Sequence, residues 1–392
     1  MSSKRILVVG AGFAGAVVAR ELADAGFEIE LIDQHDHLGG NSHTQRDSKT
    51  GIMLHYYGPH IFHTDDREVW DYVSRFARMM PYVNRVKACA GRRIYSLPIN
   101  LLTINQFFQL HLSPAQARDF LQSKARRSSS APANFEEQAL AMVGPEIYQA
   151  FLRGYTLKQW GVEPCQLPAS IIKRLPVRFN YDDNYFKHQL QGIPAEGYTQ
   201  MIQRMLDHSR IRITLGTLWS PRDRGNYCHT FYTGELDGFF GYTLGRLEYR
   251  TLRFERFYPS PAETLRGDYQ GCAVMNFCDP DVPYTRITEH KHFAPWEDHD
   301  STVCYYEYSQ PHAENDIPTY PVPLADQRTL LNGYLDLARK QRKVTFAGRL
   351  GTFRYLDMDQ AVRESLDAAR EFVRLARSGV VRMPFTASSG LA

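Results

Sequence analysis

The 392-residue sequence predicts a mixed α/β fold, and three observations carry that reading. A nearly continuous apolar run, Arg5-Ile6-Leu7-Val8-Val9, leads directly into Gly10-Ala11-Gly12-Phe13-Ala14-Gly15 and then a helical pattern. Residues 102 to 160 carry successive helix signals. Beyond residue 242, stretches rich in Thr, Tyr, Phe and Val follow one another, as in a mostly antiparallel sheet.

Taken in order, Arg5–Val9 has the character of a parallel strand buried on both faces. Ala11 to Ala25 reads as a helix with Ala16, Val17, Ala19, Leu22 and Ala23 on one side, closed by Gly26. Glu28 to Asp33 is a second strand. Asp65 to Phe76 is helical. Ser113-Pro114 is an N-cap with proline at N1, opening a helix to about Lys124. Asn134-Phe135-Glu136-Glu137 resembles a capping box for a helix toward Met142. Short strands return at Ile211–Leu215 and Thr230–Thr233. Tyr242–Phe257, Gln270–Phe277, Thr285–Phe293 and Thr302–Tyr308 form the antiparallel set. Val344–Ala347 is a late strand, and Asp359–Arg377 a terminal helix.

Bulk properties exclude several classes. Lys+Arg 46 against Asp+Glu 43 is close to balance, which makes no case for a nucleic-acid partner. The six cysteines form no C-x-x-C pair, arguing against a zinc site or a disulfide scaffold, and no metal is expected. With no signal peptide and no apolar run long enough to insert in a membrane, a cytoplasmic protein is expected.

The glycine run is a dinucleotide-binding motif. Gly10 permits the tight turn, Gly12 lets backbone approach a pyrophosphate, and Gly15 lets helix pack on strand. Phe13 and Ala14 open the helix whose free N–H groups attract the phosphates. Asp33 lies about 20 residues on, where a carboxylate meets ribose hydroxyls. Gly39-Gly40-Asn41 and the distant Gly348-Arg349, with a helix after Met358, favour FAD over nicotinamide. The late helix would aim its N-terminus at the flavin and stabilise negative charge on it.

Longer motifs then resemble the bacterial UDP-galactopyranose mutase family over nearly all of Arg5 to Ala369. They are Tyr57-Gly58-Pro59-His60-Ile61-Phe62-His63-Thr64, Gly154-Tyr155-Thr156-Leu157-Lys158-Gln159-Trp160-Gly161, Arg174-Leu175-Pro176-Val177-Arg178 and Asp182-Asp183-Asn184-Tyr185-Phe186. Tyr249-Arg250, Thr285 to Phe293 and Arg354 to Asp359 complete the set. The resemblance implies a redox-neutral ring contraction between UDP-galactopyranose and UDP-galactofuranose for cell-surface glycan synthesis. In it, N5 of reduced FAD takes the sugar's anomeric carbon as UDP leaves. It also implies a homodimer and a cellular reductant of the flavin.

By that resemblance Arg174, on a mobile loop over 161–182, and Arg286 hold the diphosphate, as guanidinium suits. Asn84, Phe151, Tyr155, Trp160, Tyr185, Asn276, Tyr320, Tyr355 and Asp357 contact substrate. His60 and His63 position the flavin, and Tyr355, Asp357 and Met358 also adjoin it. For Phe151 an ordinary packing role stays open, since it lies i,i+4 from Tyr155. Thr319 stands where the family pattern has tyrosine. The competing readings are a mutase for another nucleotide sugar and a flavin oxidoreductase, which would not need a diphosphate clamp.

The expected domains are a Rossmann-like FAD-binding domain from 1–80, 200–240 and 340–380, and a helical domain over 100–200. A sheet domain from 81–99 and 241–325 and a disordered tail at 381–392 complete the list.

Overall fold

The computed structural model of the chain describes residues 5–126, 131–172, 176–220, 225–313, 316–322, 324, 327–378 and 385. Its first sheet has five parallel strands, ordered Ile211–Thr214, Glu28–Ile32, Arg5–Val9, His229–Tyr232 and Val344–Phe346. Alternation along Arg5–Val9 feeds two cores. Ile6 and Val8 face the helices Phe13–Asp24 and Met358–Ser378, while Leu7 and Val9 face Leu236, Phe239 and the helix Arg328–Arg339. Burial on both faces explains the near-continuous apolar run.

The first helix starts after Gly12, whose side of the turn supplies no side-chain cap. Gly26, with φ +95°, ends it in the left-handed conformation. A methyl group at Gly15 would lie 1.8 Å from the Gly10 carbonyl oxygen, so only glycine lets this helix sit so close to the strand. The terminal helix packs lengthwise on the first, and its Arg363 pairs with Asp66 and Glu68 near the helix Arg67–Ser74.

Between these parts lie the helices Leu101–Phe108, Pro114–Lys124, Phe135–Ile147 and Gly154–Trp160. Ser113 and Gln116 make a reciprocal capping box. At Asn134 the side chain accepts from Glu137 N, but the Glu137 carboxylate accepts from Ala133 N instead of closing the box. This helix runs past Met142 and kinks at Gly144 (φ +76°) and Pro145. It then continues through a wide π turn, Tyr148–Arg153, into Gly154–Trp160.

A seven-stranded sheet is ordered Tyr320–Pro321, Tyr249–Phe257, Cys304–Pro311, Arg286–Glu289, Val274–Phe277, Val86–Ala90 and Arg93–Leu97. All its pairings are antiparallel except that of Val274–Phe277 with Val86–Ala90. The strand expected from Tyr242 begins only at Tyr249. Gly241, Tyr242 and Gly245 all have positive φ and make a turn there. Likewise, residues 290–293 coil into a short helix after the strand ends at Glu289. Of the 381–392 tail only Phe385 is described, and its ring stacks on Phe346 at 5.5 Å. Among the described residues, no helix is long and apolar enough to cross a membrane.

Candidate active site

A cleft of about 370 Å³ opens where the first strand, the first helix and the start of the terminal helix converge. Its walls include Gly10, Gly12, Phe13, Ala14, Asp33, Gly39, Gly40, Asn41, His60, Gly348, Arg349, Asp357 and Met358. Gly15 is not in that lining; it packs beneath it, against Gly10. The N–H groups of the first helical turn have no intrahelical acceptor and no capping side chain. A Cβ on Gly12 would meet nothing closer than 3.8 Å, so the backbone there is open to a ligand. Free donors, a bare glycine backbone and a helix dipole suit a dinucleotide diphosphate.

Asp33 is more constrained than the ribose contact expected of it requires. Its Oδ2 accepts from Ala11 N at 2.6 Å, and its Oδ1 accepts from the N–H of His35 and meets His35 Nδ1, each at 2.8 Å. Burial alone would raise its pKa, but these hydrogen bonds outweigh burial and hold the carboxyl below its ordinary range. The same contacts brace the phosphate turn.

Arg349 uses its guanidinium on main-chain carbonyls, donating to Leu356 O (2.6 and 3.0 Å) and Thr319 O (3.1 Å). Asn41 donates to Pro318 O at 3.2 Å. These two side chains therefore dock the segment before Tyr320 onto the cleft. Arg349 also lies over the ring of Tyr355, which is 39% exposed.

His60 Nδ1 is 2.8 Å from Gly58 O, so that nitrogen carries the proton and donates. Burial pushes the pKa of His60 down to about 4, leaving a neutral ring with Nε2 as an acceptor. His63 is a correction to the sequence reading. It does not line the cleft; its ring is packed between Phe186 (3.7 Å) and His188 (4.8 Å), with Nδ1 2.7 Å from His188 Nδ1. Strand pairing of Phe62–Thr64 with residues 190–192 directs it there.

A smaller cavity of about 60 Å³ is lined by Phe151, Tyr155, Tyr185 and Asn276, with Pro98, Met142, Ile172 and Val177 among its apolar walls. Phe151 lines this cavity and packs edge-on against Tyr95 and Phe107, so the packing role left open for it is present. Tyr155 hydroxyl accepts from Arg286 Nη2 at 2.7 Å. Arg286 Nε stands 3.1 Å from Glu307 Oε1, near enough to pair charges although the N–H is not aimed for a hydrogen bond. Burial opposes the arginine's charge, but Glu307 together with Tyr155, Tyr185 and Tyr320 more than offsets it, so Arg286 stays protonated. Burial conversely pushes the Glu307 carboxyl up.

Tyr320 contacts Trp160 edge-on at 5.2 Å and Tyr355 at 6.0 Å. Its hydroxyl is held by Gln159, accepting from the side-chain amide and donating to the carbonyl at 3.2 Å. Asn84 and Asn276, 5% and 7% exposed, each leave a buried Oδ1 without a partner. Asn276, the cross-strand partner of Arg286, and Asn84, whose carbonyl holds Tyr185 N, thus each present an unsatisfied acceptor that a polar ligand could engage. Lys173, Arg174 and Leu175 lie outside the described residues. The flanks of 161–182 are anchored, since Leu167 O accepts from Phe135 N and Ile172 is buried.

Sequence reasoning missed Glu307 and Gln159. Glu307 is 1% exposed and shares the inward side of its strand with Tyr305. A lone acid at an inward position among aromatics was its signal.

Residues 150–355 match the family model described as UDP-galactopyranose mutase, and residues 8–76 match an NAD(P)-binding Rossmann-like domain. A Klebsiella pneumoniae protein described as a probable UDP-galactopyranose mutase is 56% identical over 95% of this chain and 96% of its own length. The chain belongs to the UDP-galactopyranose mutase family. Within reach of this family is also a dTDP-fucopyranose mutase of Escherichia coli, 48% identical over 94% of this chain and 98% of its own. A crystal structure of reduced UDP-galactopyranose mutase shares the fold with a TM-score of 0.71 at 17% identity, covering 98% of this chain and 99% of that one. Family and fold together support a flavin cofactor.

Proposed function

We propose that this chain interconverts UDP-galactopyranose and UDP-galactofuranose, with FAD held in the large cleft and the sugar nucleotide lying from the small cavity toward it. The observation that carries this reading is Arg286. It is a half-buried, protonated guanidinium held by the buried Glu307 and by Tyr155, which lines the small cavity. A cation so placed binds a diphosphate through charge-assisted bonds and stabilises the charge that grows as UDP departs. Each such bond contributes on the order of 1.5–3 kcal/mol.

The remaining roles follow from position. Tyr155 and Tyr185 offer ring faces to a pyrimidine, and the free Oδ1 of Asn276 accepts a base N–H. Asn84, Tyr320, Tyr355 and Arg174 add polar contacts to sugar and phosphates. Neutral His60 presents Nε2 as an acceptor toward the cofactor, and Asp357 and Met358 bring the terminal helix to it. When bound and reduced, the flavin supplies the nucleophile for the anomeric carbon. No hydride acceptor among the side chains is needed, because substrate and product share one oxidation state. Closure of 161–182 over the substrate would exclude water and strengthen the phosphate contacts.

A second reading has a specific observation behind it, the 48% identity to the dTDP-fucopyranose mutase. Titration calorimetry with UDP and dTDP distinguishes the two. UDP binding at least tenfold tighter than dTDP, and weakened in Arg286→Ala, supports the proposal; the reverse order would transfer it to a deoxythymidine substrate.

A further inference from the structure

Lys158 lies in the motif around Tyr155 and Trp160 but touches neither cavity. Its Nζ donates to four main-chain carbonyls, Phe277 O (2.8 Å), Asp279 O (2.9 Å), Val282 O (3.0 Å) and Tyr284 O (3.0 Å). An ammonium has three N–H groups, so at least one is shared between two oxygens. Every hydrogen bond described for it goes to a carbonyl, none to a carboxylate. A half-buried cation whose hydrogen bonds all go to main-chain carbonyls, with the Asp279 and Asp281 carboxylates near but not bonded to it, fixes the geometry of the backbone it holds.

The caged residues are the turn joining Val274–Phe277 to Arg286–Glu289. Those two strands carry Asn276 and Arg286, which are direct cross-strand partners. Lys158 itself sits on Gly154–Trp160, the helix that carries Tyr155, Gln159 and Trp160. Two further contacts tie the same pieces together. A Cβ on Gly154, one turn before Lys158, would lie 2.4 Å from Cys278 O, so the helix already touches the turn. Tyr155 and Arg286 meet at 2.7 Å on the cavity side.

We propose that Lys158 is a positioning residue: by caging the 277–284 turn it sets the spacing between the base-contacting side chains, Tyr155 and Asn276, and the diphosphate-binding Arg286. The inference rests on the nucleotide-sugar reading above. It assigns binding affinity to a side chain that never meets the ligand.

The test uses the FAD-loaded full chain, with UDP as the probe in titration calorimetry. In Lys158→Ala the flavin spectrum stays that of the parent protein, while Kd for UDP rises on the order of tenfold or more, the equivalent of one lost polar anchor. Propylammonium, which replaces the missing stem and its three N–H donors, then restores affinity. Tetramethylammonium carries the charge without donors and does not. Lys158→Ala that binds UDP as tightly as the parent would overturn the inference. So would weakened binding that propylammonium and tetramethylammonium treat alike.

If Lys158→Ala does not fold, Lys158→Met decides, since it keeps the apolar stem and lacks donors: weakened UDP binding with the flavin retained is the expected result, and parental affinity the contrary one. Parent protein that fails to bind UDP would refute the functional reading, and this inference with it, a result distinct from any of these.

Discussion

At the scale of single residues, the site turns on one half-buried cation and the buried acid beside it. Arg286→Ala removes the proposed diphosphate anchor and should lower kcat/KM on the order of tenfold to several hundredfold, read by sugar-nucleotide chromatography. An unchanged kcat/KM would take Arg286 out of the clamp. Glu307→Gln leaves the half-buried guanidinium without its counter-charge. Removing one partner of a fully buried pair costs about 3–5 kcal/mol; with the Arg286 side chain still 22% exposed, urea unfolding of the FAD-loaded protein should show a loss below that range but clearly above zero. Parental stability in that variant would mean that another group compensates Arg286.

The glycine run was legible in the sequence because its spacing constrains it, whereas Arg286, Tyr155 and Tyr185 were reached only through the resemblance of their motifs to the family. Glu307 and Gln159 were not. Each acts through a partner brought in from another strand or helix, and no local pattern records that partner. His63 was misplaced for the same reason: its neighbour His60 faces the cleft, but strand pairing turns His63 toward Phe186 and His188.

At the scale of elements, the turn between the first strand and first helix does two separable things. Gly15 is required by packing and Gly12 by the ligand. Gly15→Ala would press a methyl group into the Gly10 carbonyl at 1.8 Å and should lower the thermal midpoint even without flavin. Gly12→Ala meets no protein atom within 3.8 Å and should fold normally yet lose FAD affinity. Purification of both variants, with flavin absorbance and melting curves, checks this; equal effects on stability would contradict the division.

Helix starts were readable to the residue at Ser113 and Asn134, because caps are local chemistry. Strand starts were less so. The apolar and aromatic character of Tyr242–Leu247 looked like strand, but positive φ at Gly241, Tyr242 and Gly245 forms a turn instead.

For the whole molecule, buried neutral histidines make acid sensitivity a property of the fold. Burial holds His60 and His63 down to about 4 and His290 to about 3, from an ordinary 6.5, and His55 well below it. The unfolded chain takes up protons at these positions near 6.5, where the folded chain does not. Stability is therefore fully present above 6.5 and is lost as pH falls toward 4. His292 opposes this weakly: burial lowers its pKa, but the facing Glu289 and Asp268 raise it further. Melting temperature should fall steadily from pH 7 to pH 4, and a flat profile would show that these rings are protonated in the native state.

The global arrangement, a parallel sheet completed by distant strands and a second sheet joining 86–97 to 249–321, depends on long-range pairing. Only the extended family motifs hinted at it.

As proposed, this chain is a redox-neutral sugar-nucleotide mutase working on UDP-galactose. The most direct measurement is anaerobic incubation of the FAD-loaded protein with UDP-galactofuranose, with and without dithionite, followed by chromatographic separation of the sugar nucleotides. The account predicts UDP-galactopyranose in the dithionite sample alone. No conversion despite bound, reduced FAD, or conversion of a dTDP-fucose substrate in its place, would contradict it.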